Sequence, residues 1–206
     1  MLIKSDIRRR EEILSTARRH FLAKGYANTG MEPVAREAQV STATLYGLFP
    51  GKEELFEAVV DHAAEEFTAR IGRVQIPPGT ARDQLTAFAW TYAGFMSDPY
   101  VRQVFRLVMA ERCRFVGLAQ RFFEKGRREY GLTLMQVIAR LQESGKLKPA
   151  KPSWAAGQLM GMIEHPLFFV PMVTGDEVRG ERPPEAIADD AVATFLARFG
   201  VEPCQG

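Results

Sequence analysis

Between Val40 and Gly51 the chain carries no formal charge, yet Thr42, Thr44 and Tyr46 set hydroxyl groups within five residues of one another, with Ala43 between the threonines. Threonine offers a donor, an acceptor and a methyl group, which together suit the edges of base pairs and the thymine methyl in a DNA major groove. Lys52 follows at the start of the next apolar pattern, with Glu53 and Glu54 behind it. A lysine at a helix N-terminus presents a cation beside unpaired backbone N–H groups, a combination that suits a phosphate.

Those side chains are useful only if short helices hold them outward. Met31, Val34, Ala35 and Ala38 recur at i, i+3, i+4 and i+7, the spacing of one apolar stripe on a helix of about two turns. Gln39 and Val40 make a turn, and Ser41 stands where its oxygen would cap a second helix over 42–48. In that helix Leu45, with Phe49 one turn on, faces inward toward Val34 and Val40, which leaves Thr42, Ala43, Thr44 and Tyr46 outward. The pattern over about 31–50 predicts a helix-turn-helix, whose second helix enters the groove by its N-terminal residues.

The flanks fit that reading. A helix from Ser5 or Asp6 to Lys24, with Ile13, Leu14, Ala17, Phe21 and Leu22 inward, stops at Gly25. Its surroundings are basic, since Lys4, Arg8, Arg9, Arg10, Arg18, Arg19 and Lys24 outnumber Asp6, Glu11 and Glu12, as phosphate tracking requires, although charge runs are commonly just solvated helix faces. Lys52 to Gly72 continues as a helix on Leu55, Phe56, Val59, Val60, Ala63 and Phe67, and the break at 75–79, Gln-Ile-Pro-Pro-Gly, marks a domain boundary.

From about Arg10 to Val60 the chain resembles the N-terminal DNA-binding domain of the TetR family of bacterial transcriptional regulators. The resemblance rests on Ala17, Phe21 and Lys24-Gly25-Tyr26, on Val34-Ala35-Arg36-Glu37-Ala38, on Val40-Ser41, and on Thr44 to Phe49 followed by Lys52-Glu53-Glu54-Leu55. It implies DNA contact by Thr42, Ala43 and Thr44, with Thr44 nearest the bases, Tyr46 and Lys52 on phosphates, and Thr29 and Arg36 at the backbone. Three positions depart from the family pattern. Gln39 stands where glycine is common, Gly47 where histidine or tyrosine is common, and Gly30 where serine or threonine is frequent, which passes the cap of the first helix of the pair to Thr29.

Everything after Thr80 reads helical, with segments over about 81–96, from 99 to 110 or 113, 115–144, 153–173 and 185–199, Ser153 capping the fourth. The class is therefore all-α, a helix-turn-helix domain over 1–72 and a larger helical domain over 80–200. Ala155, Ala156, Gly157 and Gly161 make a small-residue face, and Ile187, Ala191, Phe195 and Phe199 an apolar stripe. The resemblance implies a homodimer built on these two helices, and a pocket for a small apolar or amphipathic effector whose binding releases DNA. Trp90, Phe95, Phe105, Met109, Glu111, Cys113, Phe122, Trp154, Met162, Glu164, His165 and Phe168 are the candidate lining, with Glu164 and His165 as polar anchors beside a kink at Pro166. Ordinary core is the competing reading for each aromatic and methionine. A partner protein in place of a small effector is the alternative mode of control.

Other classes find little support. The net charge of +2 argues against general polyanion binding. The three histidines are scattered, no Cys/His pair has metal-ligand spacing, and there is no phosphate loop or nucleophile motif, so no catalytic residue, metal or cofactor is expected. Cys113 and Cys204 lie far apart, which with no signal-peptide pattern predicts a reduced, cytoplasmic protein, and the apolar run from Ala155 to Val173 is broken by Gln158, Glu164, His165 and Pro166, unlike a membrane span.

Overall fold

The computed structural model describes residues 2–71, 75–176 and 182–201. Cys204, Gly72 and the middle of the loop over 174–184 lie outside them. The described chain is helical: α1 (Leu2–Lys24), α2 (Met31–Glu37), α3 (Thr42–Leu48), α4 (Lys52–Ile71), α5 (Ala81–Met96), α6 (Pro99–Ala110), α7 (Val116–Glu143), α8 (Pro152–Glu164), a π-helical turn (His165–Phe169), α9 (Val170–Thr174) and α10 (Pro184–Phe199). Among the described residues the β-structure is a single bridge, Leu147 to Gly200. None of these helices is long and apolar enough to cross a membrane.

Two compact units emerge, and they interleave in sequence. One joins the chain up to Phe67 with Gln103–Glu124; the other joins Thr68–Arg102 with the chain from Lys125 onward. A linear cut at 75–79 therefore does not describe how the chain packs, because α4, α6 and α7 each contribute to both units.

In the first unit α1 ends where expected, with Gly25 at φ +74° and its N–H on the Phe21 carbonyl. Ile13, Ala17, Phe21, Val34, Leu45, Leu55, Phe56 and Val60 form its core. Phe56 lies at the middle of an aromatic cluster, with ring centroids 5.1 Å from Phe21, 5.1 Å from Tyr26 and 4.9 Å from Phe115.

In the second unit Thr80 and Asp83 close a capping box on α5, and the Asp98 carboxylate accepts from Tyr100 N–H ahead of α6. Helix α10 packs along α5, and α8 packs against both. Two sequence expectations change here. Lys151 occupies the N-cap of α8 with Pro152 first in the helix, so Ser153 does not cap it. The expected helix to Val173 also widens after Glu164 into the π-helical turn, where the Val170 N–H reaches back five residues to the His165 carbonyl. The prolines explain the widening. Pro166 has no N–H for the Met162 carbonyl and Pro171 none for that of Leu167, and each ring crowds the carbonyl four residues back.

Candidate nucleic-acid interface

The turn between α2 and α3 is closed by the Ala38 N–H on the Val34 carbonyl and the Val40 N–H on that of Ala35, at 2.9 and 3.0 Å. This geometry puts Gln39 at φ +56°, the left-handed region that favours glycine. Gln39→Gly should therefore stabilise the protein by about 0.5–1 kcal/mol, seen as a higher thermal midpoint, and an unchanged or lower midpoint would refute the strain.

Ser41 caps α3 as expected, its Oγ accepting from the Thr44 N–H at 3.0 Å. Leu45 is fully buried and Phe49 nearly so, which turns the opposite face outward: Thr42, Ala43, Tyr46 and Gly47 are exposed. A Cβ added at Gly47 would meet nothing within 4 Å, so the surface beside Tyr46 is open. Thr44 differs from expectation. It is half-buried and its hydroxyl is shared with that of Ser41 at 2.8 Å, so Thr42 and Tyr46 are the more available hydroxyls on α3.

Two of the residues expected at DNA, Thr29 and Lys52, have their polar atoms engaged within the chain. Thr29 is 3% exposed and its hydroxyl donates to the Gly25 carbonyl at 2.8 Å; the N-cap of α2 is Gly30, with no side-chain bond. It ties the end of α1 to the start of α2 instead of reaching outward. The Lys52 ammonium donates to the carbonyls of Tyr26 and Ala27 at 3.0 and 3.1 Å and lies 4.6 Å from the Tyr26 ring centroid. It staples the loop after α1 to the start of α4. Arg36 is exposed on α2.

The basic patch on α1 is largely neutralised within the unit. Arg8 pairs with Glu12, Arg18 with Glu66 at 2.7 Å, and Arg19 with Glu37 at 2.9 Å, while Arg10 lies over the Phe49 ring. Glu37 also accepts from or shares a proton with His20 Nε2 at 2.7 Å, and the bonds from Arg19 and His20 hold its carboxyl below the usual glutamate range. A lowered pKa contributes stability that is present above the ordinary range and lost as the pH falls through the folded-state value. Glu37→Gln should thus flatten the acid limb of stability below about pH 4.3, measured as urea midpoints against pH; an unaltered limb would contradict it.

The candidate effector residues are dispersed. Phe105 and Phe122 stack edge-on at 4.9 Å within the first unit, where Phe122 also meets Phe67. Trp90, Met109 and Trp154 are about half exposed, Trp90 donating to Asp189 at 2.8 Å, and Cys113 is exposed. Glu111 is half-buried and accepts the Phe115 N–H on its backbone carbonyl. In the second unit Glu164 accepts from the buried Tyr92 hydroxyl, which burial and that carboxylate push far up in pKa. Tyr130, 5.0 Å from Phe95, has a buried hydroxyl with no partner among the described residues. His165 is exposed and stacks on Phe169, and Phe168 is half-buried, so Glu164 and His165 do not converge as a pair of inward anchors.

The second unit instead holds an open cleft of about 1030 Å³, reached by Met162 alone of those candidates. Its other walls include Ser97, Arg102, Leu167, Asp176, Ile187 and Thr194. Arg102 is the residue that sequence reading missed. It is 5% exposed, pairs with Asp176 at 2.5 Å, and donates from Nη1 to the carbonyls of Met96 and Leu167 at 3.0 and 3.1 Å. The sequence signal was Pro166 with Pro171, which together denied backbone donors to one stretch of helix and left an acceptor for a distant cation.

The residues expected at a dimer surface divide between the chain's own core and its exterior. Ala156, Ala191, Phe195 and Phe199 are buried within the chain itself, Phe195 and Phe199 at 4.8 Å from each other, because α10 uses its apolar stripe to cover α5. Gly157 and Gly161 are exposed, and Ile187 is half-buried on the cleft.

A helical chain that holds an uncharged, hydroxyl-bearing recognition helix outward from a buried three-helix core is a helix-turn-helix DNA-binding protein. Residues 13–59 match the bacterial regulatory proteins of the tetR family, and 83–201 match the C-terminal domain of AefR-like transcriptional repressors. The chain belongs to the TetR family, and is a DNA-binding transcriptional regulator of repressor type, a class that is not enzymatic. The HTH-type transcriptional regulator LuxR of Vibrio harveyi is 31% identical over 64 residues, a match that spans 31% of this chain and 31% of that protein. A TetR-family regulator from Mesorhizobium loti shares 29% identity and superposes with a TM-score of 0.81 over 95% of this chain and 98% of its own. The flavonoid-responsive regulator FrrA shares 26% identity, with a TM-score of 0.74 over 95% of this chain and 99% of its own.

Proposed function

We propose that this chain is a homodimeric repressor that binds a near-palindromic operator in the cytoplasm and is released when a small molecule fills its second unit. The outward face of α3 carries the reading: Thr42, Ala43 and Tyr46 are exposed at the N-terminal end of a capped helix, the end that meets base edges in this type of docking. Thr42 and Tyr46 take the main roles, Thr44 acts through Ser41, and Arg36 supplies a phosphate contact. Helices α8 and α10 keep small residues outward, Gly157 and Gly161 on one and Ala193 and Ala197 on the other, which suits the close approach of a second copy. Two-fold pairing would set the recognition helices about 34–36 Å apart. The cleft in the second unit, and the flavonoid response of FrrA, support a small-molecule effector.

Selection of sites from random duplex DNA by the purified protein, with affinities read at two salt concentrations, tests this. A palindromic consensus is expected. Thr42→Ala and Tyr46→Ala should weaken binding to the consensus by about 1–3 kcal/mol, while Arg36→Ala should weaken consensus and random DNA alike and lower the salt dependence. Salt-sensitive binding without any consensus would overturn the operator reading.

A further inference from the structure

Arg102 is almost wholly buried in a cleft whose lining also includes the apolar Met162, Leu167 and Ile187 and the exposed ion pair of Arg182 with Asp190, and among the described residues three acceptors hold it. Two are backbone carbonyls, of Met96 at the end of α5 and of Leu167 in the π-helical turn, and neither carries a formal charge. Among the described residues its counter-ion is Asp176, whose side chain is 26% exposed and which follows the five-residue α9 by two positions. Nη1 and Nε are thereby engaged, while among the described residues Nη2 has no protein acceptor. The cleft thus contains a cation fixed by backbone on one side and neutralised by an accessible carboxylate on the other.

We propose that this cleft binds an amphipathic monocarboxylate, whose acid group takes the place of Asp176 on Arg102 while its apolar body lies along Met162, Leu167 and Ile187. Buried guanidinium needs a counter-ion, and only an anion can exchange with Asp176 without leaving a bare charge. Bidentate geometry favours a carboxylate, since Nε and Nη2 lie on one edge of the guanidinium plane and can serve both oxygens together. The cleft volume of about 1030 Å³ is ample for a medium-chain acid. A neutral or cationic ligand gains nothing from Arg102, which Asp176 already satisfies. This inference deepens the small-molecule reading above by naming the chemical class of the effector.

Isothermal titration of the full chain with octanoate, 1-octanol and octylamine tests it. Octanoate should bind once per chain and at least tenfold more tightly than either analogue, and it alone should raise the thermal midpoint of the unmodified protein. Asp176→Asn removes the competing carboxylate and should tighten octanoate at least tenfold; Arg102→Gln, checked for native helicity, should abolish the preference for the acid. Equal binding of octanoate and octanol, no binding of octanoate at millimolar concentration, or affinity unchanged in a folded Asp176→Asn chain would each overturn the proposal. The ranking of the three probes on the unmodified protein decides the matter if a variant fails to fold. Gel-shift with the selected operator separates the two readings. Octanoate bound through Arg102 without loss of the DNA complex would leave the anion site standing and defeat its role as effector. A neutral compound that releases DNA while octanoate does not bind would do the reverse.

Discussion

Arg102→Met should lower the free energy of unfolding by about 3–5 kcal/mol, among the largest effects expected from any single change in this chain. Methionine fills much of the same space, so the loss comes from the groups that the guanidinium leaves behind. Asp176 loses its counter-ion in a cleft, and the carbonyls of Met96 and Leu167 lose their donor at positions where helix ends cannot replace it. Tyr100, which would serve the Met96 carbonyl in a continued helix, gives its N–H to Asp98, and Pro171 has no N–H for Leu167. Urea denaturation followed by circular dichroism measures the loss. Asp176→Asn should cost less, because its amide oxygen can still accept from Nε and the site keeps partial exposure. The double change Arg102→Met with Asp176→Asn should recover only part of the loss, since the two carbonyls remain unserved. A loss below about 1 kcal/mol for Arg102→Met would mean that water satisfies these groups.

Phe56→Ala is expected to destabilise the first unit by about 3–5 kcal/mol and to abolish specific DNA binding at physiological temperature. Phe56 is fully buried, and its ring is met edge-on by Phe21 and Tyr26 and tilted against Phe115. Removing it opens a cavity bounded by three rings that are themselves pinned. Tyr26 lies under both the Lys52 ammonium and the Arg114 guanidinium, and Arg114 is held in turn by Glu53 at 2.7 Å. Collapse into the void would have to break that arrangement, so the cavity is expected to persist. Phe56→Leu, which keeps most of the volume, should retain binding with a loss nearer 1–1.5 kcal/mol. Similar losses from Leu and Ala would show that the cluster repacks freely.

The short-range features of this protein were written plainly in its sequence. The stripe Met31, Val34, Ala35, Ala38 and the cap at Ser41 depend on residues within one or two turns of each other, so helix spacing and capping chemistry alone predicted α2, the turn and α3. Gln39 stands where glycine is common in the family, and it takes the left-handed conformation that glycine adopts without strain. The final helix and its apolar stripe were equally legible.

What a side chain touches was not legible, because that depends on which elements fold together. Lys52 and Thr29 have the residue types of DNA contacts, yet their polar atoms are engaged by carbonyls of the α1–α2 loop and the end of α1. Phe195 and Phe199 form an apolar stripe that could serve a partner or the chain's own core, and the packing of α10 on α5 assigned it to the core. Nothing in the residues next to Arg102 marks it as a buried cation. Periodicity reports which face of a helix is apolar, whereas the partner of a buried charge is fixed by chain segments dozens of residues away. Only the tertiary structure could bring Asp176 and the donor-starved Leu167 carbonyl to Arg102, since neither proximity follows from local backbone preferences.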